Sequence, residues 1–497
     1  MSTTTLQPDP RRWKALIFIG IAQLMVFLDG AIMNIALPSA QHDLGFSDGG
    51  RQWVITAYGL AFGGLLVLGG RLADLRGHKK IFVTGLVGFA VASAVGGLSP
   101  NLPTLLAARA LQGVFGALLA PAALALISLG FTDAKERAKA FGVYGAIATA
   151  GGGAGLLFGG VLTQYVNWRW GFYINLPIAA IGIVGVLKLV GADSRQTRRG
   201  RLDLPGAVLA TGGTVALVFG FAKAEDDGWG STMTIGMFVL SVVLLASFVL
   251  LESKAKSPLL PLRVLTERNR AGAYLSLGLS VIAMFGMFLF LSYYFQLVKG
   301  YSPVMSGLAF IPMAVLQAIG STQIGARLFH RVRPGVLMSA GFAVSGIGVL
   351  MLSLLDADSS FAFIAAGEMV VGVGIGTAFM PAFGLGAHGV EARDAGVASA
   401  MTGAAQQIGG SIGTALLNTI AARATADYLA SRHSAGPVDK AALVHGYAVA
   451  YWWAAGFLAA AALIAFFAVN VGKPPAQKAG AADDDDLAAL DLRPAHS

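Results

Sequence analysis

The chain has 497 residues, 56% of them hydrophobic and only 12% charged, with a mean hydropathy of +0.69, where a water-soluble fold of this size would carry about twice that charge. The formal net charge of +9 invites a nucleic-acid reading, but the charge is spread along the chain in a way that suits a membrane better. Cysteine is absent, which excludes disulfides, thiolate metal sites and a cysteine nucleophile.

Apolar runs long enough to cross about 30 Å of hydrocarbon recur along the chain. Fourteen spans are expected, at residues 15–37, 53–70, 81–98, 103–129, 141–161, 172–190, 204–221, 233–251, 274–297, 305–324, 336–355, 361–383, 397–420 and 448–471. The 66 glycines suit such helices, since small residues let backbones approach. With the N-terminus in the cytoplasm, the segments on that side hold 27 Lys and Arg and those on the other side 7, while Arg109 lies inside a span. This asymmetry is the positive-inside pattern. It puts both termini in the cytoplasm and the spans in the cell (inner) membrane. The basic charge then serves topology and lipid headgroups, with no nucleic acid as partner. Arg11, Arg12 and Lys14 precede an apolar run too long for a signal peptide, so that run is read as a retained first helix.

In chain order, the first notable residue is Asp29, near the middle of the first span. A carboxylate there costs several kcal/mol by order of magnitude, so its default reading is functional: it holds a proton, or a cation that replaces the proton. Met25 and Met33 lie one helical turn to either side, and their polarizable thioethers suit a soft organic cation. Arg109, inside the fourth span, cannot deprotonate and needs an acid or several carbonyls, with Asp29 or cavity water as its partner. Gly151, Gly155 and Gly159 repeat at four-residue spacing on the fifth span and predict close packing on another helix, across a bundle interface. The ninth span carries Phe285, Phe288, Phe290, Tyr293, Tyr294 and Phe295. These rings encircle the helix, so most face lipid or core, and Phe288 and Tyr293 are the candidates for lining a pocket for a flat cation. Gln112, Gln317 and Gln406 are polar positions within spans that bridge helices or touch substrate. Glu368 is the other deeply placed acid, a second proton or substrate site or else a hydrogen-bonding link between helices. Two buried acids suit a monovalent or a divalent cation alike. The tail after residue 472 is rich in Ala, Asp and Pro, with an acidic run at 483–486, and reads as disordered and without a role.

Residues 70–80 after the second span and 325–334 after the tenth are both basic hairpins. If they correspond, the chain is all-α with two six-helix bundles and two extra helices between them. The division is residues 1–190, a linking pair at 191–270, residues 271–472, and the tail 473–497. Two equivalent halves with a site at their interface is a common transporter plan.

The segment Gly70-Arg71-Leu72-Ala73-Asp74-Leu75-Arg76-Gly77-His78-Lys79-Lys80 resembles the inner-loop signature G-x-L-A-D-x-x-G-R-K of the major facilitator superfamily, with His78 in place of the usual Arg. The run from Leu28 through Asp29 to Pro38 is similar to the first-helix signature of its fourteen-span drug:proton antiporters. Arg109-Ala110-Leu111-Gln112-Gly113 resembles R-x-x-Q-G of the fourth helix. The run Trp168-Arg169-Trp170-Gly171-Phe172-Tyr173-Ile174-Asn175-Leu176-Pro177 is similar to W-R-W-x-F-x-I-N-x-P. Weaker agreement extends to 296–308 and 396–413. The fifth-helix signature G-P-x-x-G-G is broken, since Leu156 stands at the proline position.

The resemblance implies an efflux transporter for amphipathic, cationic drugs or antibiotics, driven by the proton motive force without a cofactor and functional as a monomer. In it Asp29 binds a proton or a drug but not both, and Arg109 tunes that acid. Asp74 forms a latch that caps the thirteenth span, with Arg71, Gly77 and Lys79 in the same gating hairpin. A proton symporter for a metabolite and a lipid or glycolipid flippase are the alternatives on this scaffold. An enzyme is disfavoured, because the seven His show no metal-ligand spacing and no nucleophile motif or phosphate loop occurs. A channel is disfavoured because one chain carries both halves.

Overall fold

The structure is a computed structural model that describes residues 11–46, 48–131, 133–191, 203–255, 258–329, 331–386, 388–391, 394–432 and 440–472. The acidic run 483–486 and most of the loop before 203 lie outside them. Among the described residues the chain is helical. We number the long helices α1 (Arg12–Leu44), α2 (Asp48–Arg76), α3 (His78–Gly97), α4 (Leu102–Gly130), α5 (Ala134–Tyr165), α6 (Trp170–Leu189) and α7 (Leu204–Asp226). They continue with α8 (Thr232–Glu252), α9 (Arg268–Val298), α10 (Val304–Leu328), α11 (Pro334–Leu352), α12 (Phe361–Gly386), α13 (Ala395–Arg432) and α14 (Lys440–Ala468).

Local chemistry sets the helix ends. The Asn101 side chain accepts the Thr104 N–H at 3.0 Å, and Ser231 accepts that of Thr234 at 3.1 Å. Glu267 accepts the N–H groups of Asn269 and Arg270. Each satisfies a donor left open by the first helical turn. Gly77 has φ 103°, where a side chain would be strained, and so allows α2 to turn directly into α3.

Among the described residues, twelve of these helices are long and apolar enough to cross a membrane, which makes the chain a multi-pass membrane protein. The fourteen expected spans fall one each on α1 to α14. The segments expected at 141–161 and 397–420 lie within α5 and α13.

The packing repeats with an offset of eight helices. In the first half α1 lies on α5 and α6, α2 on α4, and α3 on α4 and α6. In the second, α9 lies on α13 and α14, α10 on α12, and α11 on α12 and α14. The halves meet through α2 on α13 and α5 on α10, joined by α4 on α13 and α5 on α12. Each half has its own apolar core. Helix α7 runs against both α2 and α13, along the seam, while α8 packs on α7 and stays largely exposed.

The stripe Gly151, Gly155 and Gly159 does pack closely, but on α1 of its own half rather than across the bundle interface. A Cβ at Gly155 would stand 2.6 Å from Ala31 Cβ and 2.9 Å from the Leu28 carbonyl oxygen, and one at Gly151 or Gly159 would meet Phe27 or Ile32 at 2.9 Å. The interface lies on another side of α5, where Gly160 faces Val304 and Ser321 Oγ donates to the Gly142 carbonyl at 3.0 Å. Gly155→Ala is therefore expected to push α1 outward at an overpacked contact, costing about 1–3 kcal/mol. A fall in the thermal unfolding midpoint of the purified protein checks this, and an unchanged midpoint would show that the stripe has slack.

Candidate functional site

Asp29 is 1% exposed, and four other buried side chains gather around it from three helices. Arg109 Nη1 of α4 donates to Asp29 Oδ2 at 2.7 Å and to Gln112 Oε1 at 2.8 Å. Gln112 Nε2 donates to Asp29 Oδ1 at 2.9 Å and to Ser93 Oγ of α3 at 2.8 Å. Asn175 Nδ2, on α6, donates to Asp29 Oδ1 at 2.7 Å and to Ser93 Oγ at 3.2 Å. The Arg109 guanidinium also donates through Nε to the Val54 carbonyl and lies 4.4 Å from the ring centroid of Tyr58. A charged pair in hydrocarbon is tolerable only when its remaining donors and lone pairs are engaged, and here most are. The Asn175 side-chain oxygen is the exception, buried and without a partner.

The arrangement has a chemical consequence. Arg109 cannot give up its proton, so the only titratable member of the pair is Asp29. Protonating Asp29 would remove the counter-charge of a buried arginine, and any cation that displaces Arg109 from Asp29 would do the same.

Gln112 was a substrate-pocket candidate, and the structure places it inside this network instead. Met25 and Met33 are buried in two different apolar clusters, at 0% and 1% exposure. In the second half, Phe288 is half-buried against Phe310, with ring centroids 5.3 Å apart, and Tyr293 is 42% exposed. Gln317 is buried where α10 crosses α12 at Gly372 and Gly376. These six residues do not form one surface. They lie on α1, α4, α9 and α10.

Ser93 and Tyr58 were missed, and Asn175 figured only as a letter in the W-R-W run. An amide near the start of an apolar helix is itself a signal, because once buried it must bond to something. Glu368 is wholly buried on α12, far from this network in the other half.

On the face that carries the hairpin 70–80, Asp74 ends α2 directly beneath the start of α13. The Gly396 N–H donates to Asp74 Oδ1 at 2.8 Å and the Val397 N–H to Oδ2 at 3.2 Å, so the carboxylate caps the positive end of that helix. His78 Nε2 lies 3.0 Å from the same Oδ1. A Cβ on Gly70 would stand 2.4 Å from the Gly396 carbonyl oxygen, so only bare backbone fits this crossing. Arg71 Nη1 is 3.8 Å from Asp394, which also holds Arg263 at 2.6 Å. Lys79 makes its hydrogen bonds on the other side of the turn. It already belongs to the first turn of α3 and donates to the carbonyls of Leu187 and Val190, at 3.1 and 2.6 Å, at the end of α6.

At the opposite face, Trp168 Nε1 and Arg169 Nη1 both donate to Asp43 just beyond the apolar part of α1, and Arg169 also reaches the Ser99 carbonyl. The Arg169 hydrogen bond, then that of Trp168, holds the Asp43 carboxyl below its ordinary 3.8. The carboxylate form therefore survives acidification past that value, and the clamp is lost only as pH falls further.

Among the described residues no cluster of His, Asp and Glu could hold a metal ion. Residues 19–414 match the Major Facilitator Superfamily. The chain is 47% identical over 478 residues to the puromycin resistance protein pur8 of Streptomyces alboniger, covering 96% of this chain and 95% of that one. It is 35% identical to the cephamycin export protein CmcT of Amycolatopsis lactamdurans, over 83% of this chain and 85% of the other. The crystal structure of the human organic anion transporter MFSD10 superposes with a TM-score of 0.65 at 13% identity, covering 92% of this chain and all of that one, a likeness of fold alone. With a match over most of its length, relatives this similar, and two six-helix halves joined by an extra pair, the chain belongs to the Major Facilitator Superfamily.

Proposed function

We propose that the protein exports amphipathic, cationic antibiotics or drugs across the cell membrane in exchange for protons, as a monomer working by alternating access. The observation that carries the proton half is the buried Asp29–Arg109 pair, in which one titratable group balances one permanent charge. The drug half is supported by relatives named for puromycin resistance and cephamycin export. The basic face is cytoplasmic on this reading. Asp74, Arg71 and Gly77 then form the inner gate, engaged here between α2 and α13. Loading Asp29 with a proton or a drug cation frees or recaptures Arg109, and the difference in that cost between the two states shifts their balance.

Purified protein in proteoliposomes tests this with puromycin and ethidium as probes and a pH dye inside the vesicles. Drug entering and protons leaving, in step and abolished by a protonophore, is the expected result. Drug and protons moving the same way would establish symport instead. Binding of neither compound would overturn the cationic-drug assignment.

A further inference from the structure

The carboxyl group of Glu368 is entirely buried, and neither of its oxygens has a hydrogen-bond partner. It sits in the apolar core of the second half, beside Gly367, against which Leu352 packs, and a turn before Val371, which packs on Gly348 of α11. An unpaired carboxylate in such a place costs several kcal/mol by order of magnitude, so the group is accommodated as the neutral acid. A purely structural acid would use its O–H and carbonyl to tie helices together, as buried polar groups nearly always do. Glu368 ties nothing.

A second buried polar group without a partner lies in the same half. Tyr451 of α14 is 1% exposed, its hydroxyl has no partner, and it lies within electrostatic reach of Glu368. Tyr451 is in turn within reach of Tyr447, one turn earlier on α14, and of Tyr294 on α9. The Tyr294 hydroxyl donates at 2.7 Å to the carbonyl of Asp356, in the loop between α11 and α12 on the face opposite the basic hairpins. Phe290 walls the series, stacked on Tyr447 with centroids 5.3 Å apart and edge-on to Tyr451 at 6.3 Å. The other helices packed on α12 bring no charge near. Helix α11 has no titratable residue, α10 has Arg327 at its basic end, and the charged residues of α5, α9 and α13 sit near their helix ends.

Resting on the proton-driven reading above, we propose that Glu368 is a second proton-binding site, separate from Asp29, and that Tyr451, Tyr447 and Tyr294 mark its route to the loop between α11 and α12. On release, the carboxyl O–H bond breaks and a new O–H bond forms on the Tyr451 oxygen as that hydroxyl's own O–H bond breaks, and the same exchange repeated along the series delivers a proton to solvent at the loop. Tyr451, an idle donor, then donates to the carboxylate left behind.

Infrared difference spectroscopy of the full chain in lipid nanodiscs reads this site without transport. The expected result is a carboxylic-acid C=O band that fades as pH is raised and shifts when the protein is made with 13C-carboxyl glutamate. It should persist in Asp29→Asn and be missing in Glu368→Gln. Tyr451→Phe should keep the band but slow its loss after a pH jump by about 100-fold, as removal of a positioned proton-transfer group does. A glutamate-independent band, a band that survives Glu368→Gln, or one that never responds to pH would overturn the proposal. If Glu368→Gln does not fold, the isotope shift and pH response of the wild-type band decide. Failure of drug–proton exchange in vesicles would sink antiport at Asp29 while leaving a titrating Glu368 band intact, so the two readings fail separately.

Discussion

Asp29→Asn is expected to abolish proton-coupled export, lowering drug-driven proton movement by about 100-fold or more, beyond what loss of a single ordinary hydrogen bond would give. The structure explains why the isosteric amide does not substitute. Asp29 accepts from three donors, Arg109, Gln112 and Asn175. An asparagine offers one acceptor and turns an NH2 group toward donors on its other side. It also leaves the Arg109 charge buried without its partner, which costs about 3–5 kcal/mol. The variant should therefore show a lower unfolding midpoint as well as lost coupling. Adding Arg109→Gln removes the orphaned charge and should restore much of the stability without restoring any coupling. Thermal unfolding and vesicle proton flux, measured on both variants, separate the two effects. Proton flux near wild type in Asp29→Asn would remove the carboxylate from the mechanism.

The second large effect is expected at the crossing of α2 and α13. Gly70→Ala places a Cβ 2.4 Å from the Gly396 carbonyl oxygen, closer than real contacts allow, with backbone on the other side that cannot swing away. Asp74→Asn removes the charge that faces the start of α13 and one of its two accepting oxygens. Both should hold the gate ajar and cut turnover by about tenfold or more, as lost charge-assisted bonds of about 1.5–3 kcal/mol imply. Equilibrium drug binding should hardly change, because neither residue touches the Asp29 network. The absence of cysteine allows a clean reporter. Ala400 is fully buried at this crossing, next to Gly70. Ala400→Cys should resist an impermeant thiol reagent in the parent and react in the Asp74→Asn background. Unchanged turnover and unchanged labelling would show that the crossing is static.

The two charged members of the Asp29 network, and Glu368 apart from it, were legible in the chain, because a charge in an apolar run is conspicuous. Asp29, Arg109 and Glu368 each stood out for the cost of burying them. What was not legible was their company. Asp29 and Asn175 are 146 positions apart, and Gln112 and Ser93 are 19 apart on different helices. Gln112 was read with the pocket candidates and is instead a strut of the network. Lys79 was grouped with Asp74 through the hairpin they share, yet one side of that tight turn faces α13 and the other faces α6.

Composition and hydropathy alone determined that this chain is a helical membrane protein. The distribution of Lys and Arg gave a basic face, and motif and spacing placed a turn at Gly77 and close packing at Gly155. These properties are local or additive, so they can be read along one dimension. The tertiary structure decided which buried polar groups meet, that Met25 and Met33 are core, that the Gly155 stripe packs within its own half, and that Glu368 stands unpaired within electrostatic reach of Tyr451. Those outcomes depend on the rotation and tilt of each helix against its neighbours. Helical periodicity says which residues share a face, and only the packed bundle says what that face meets.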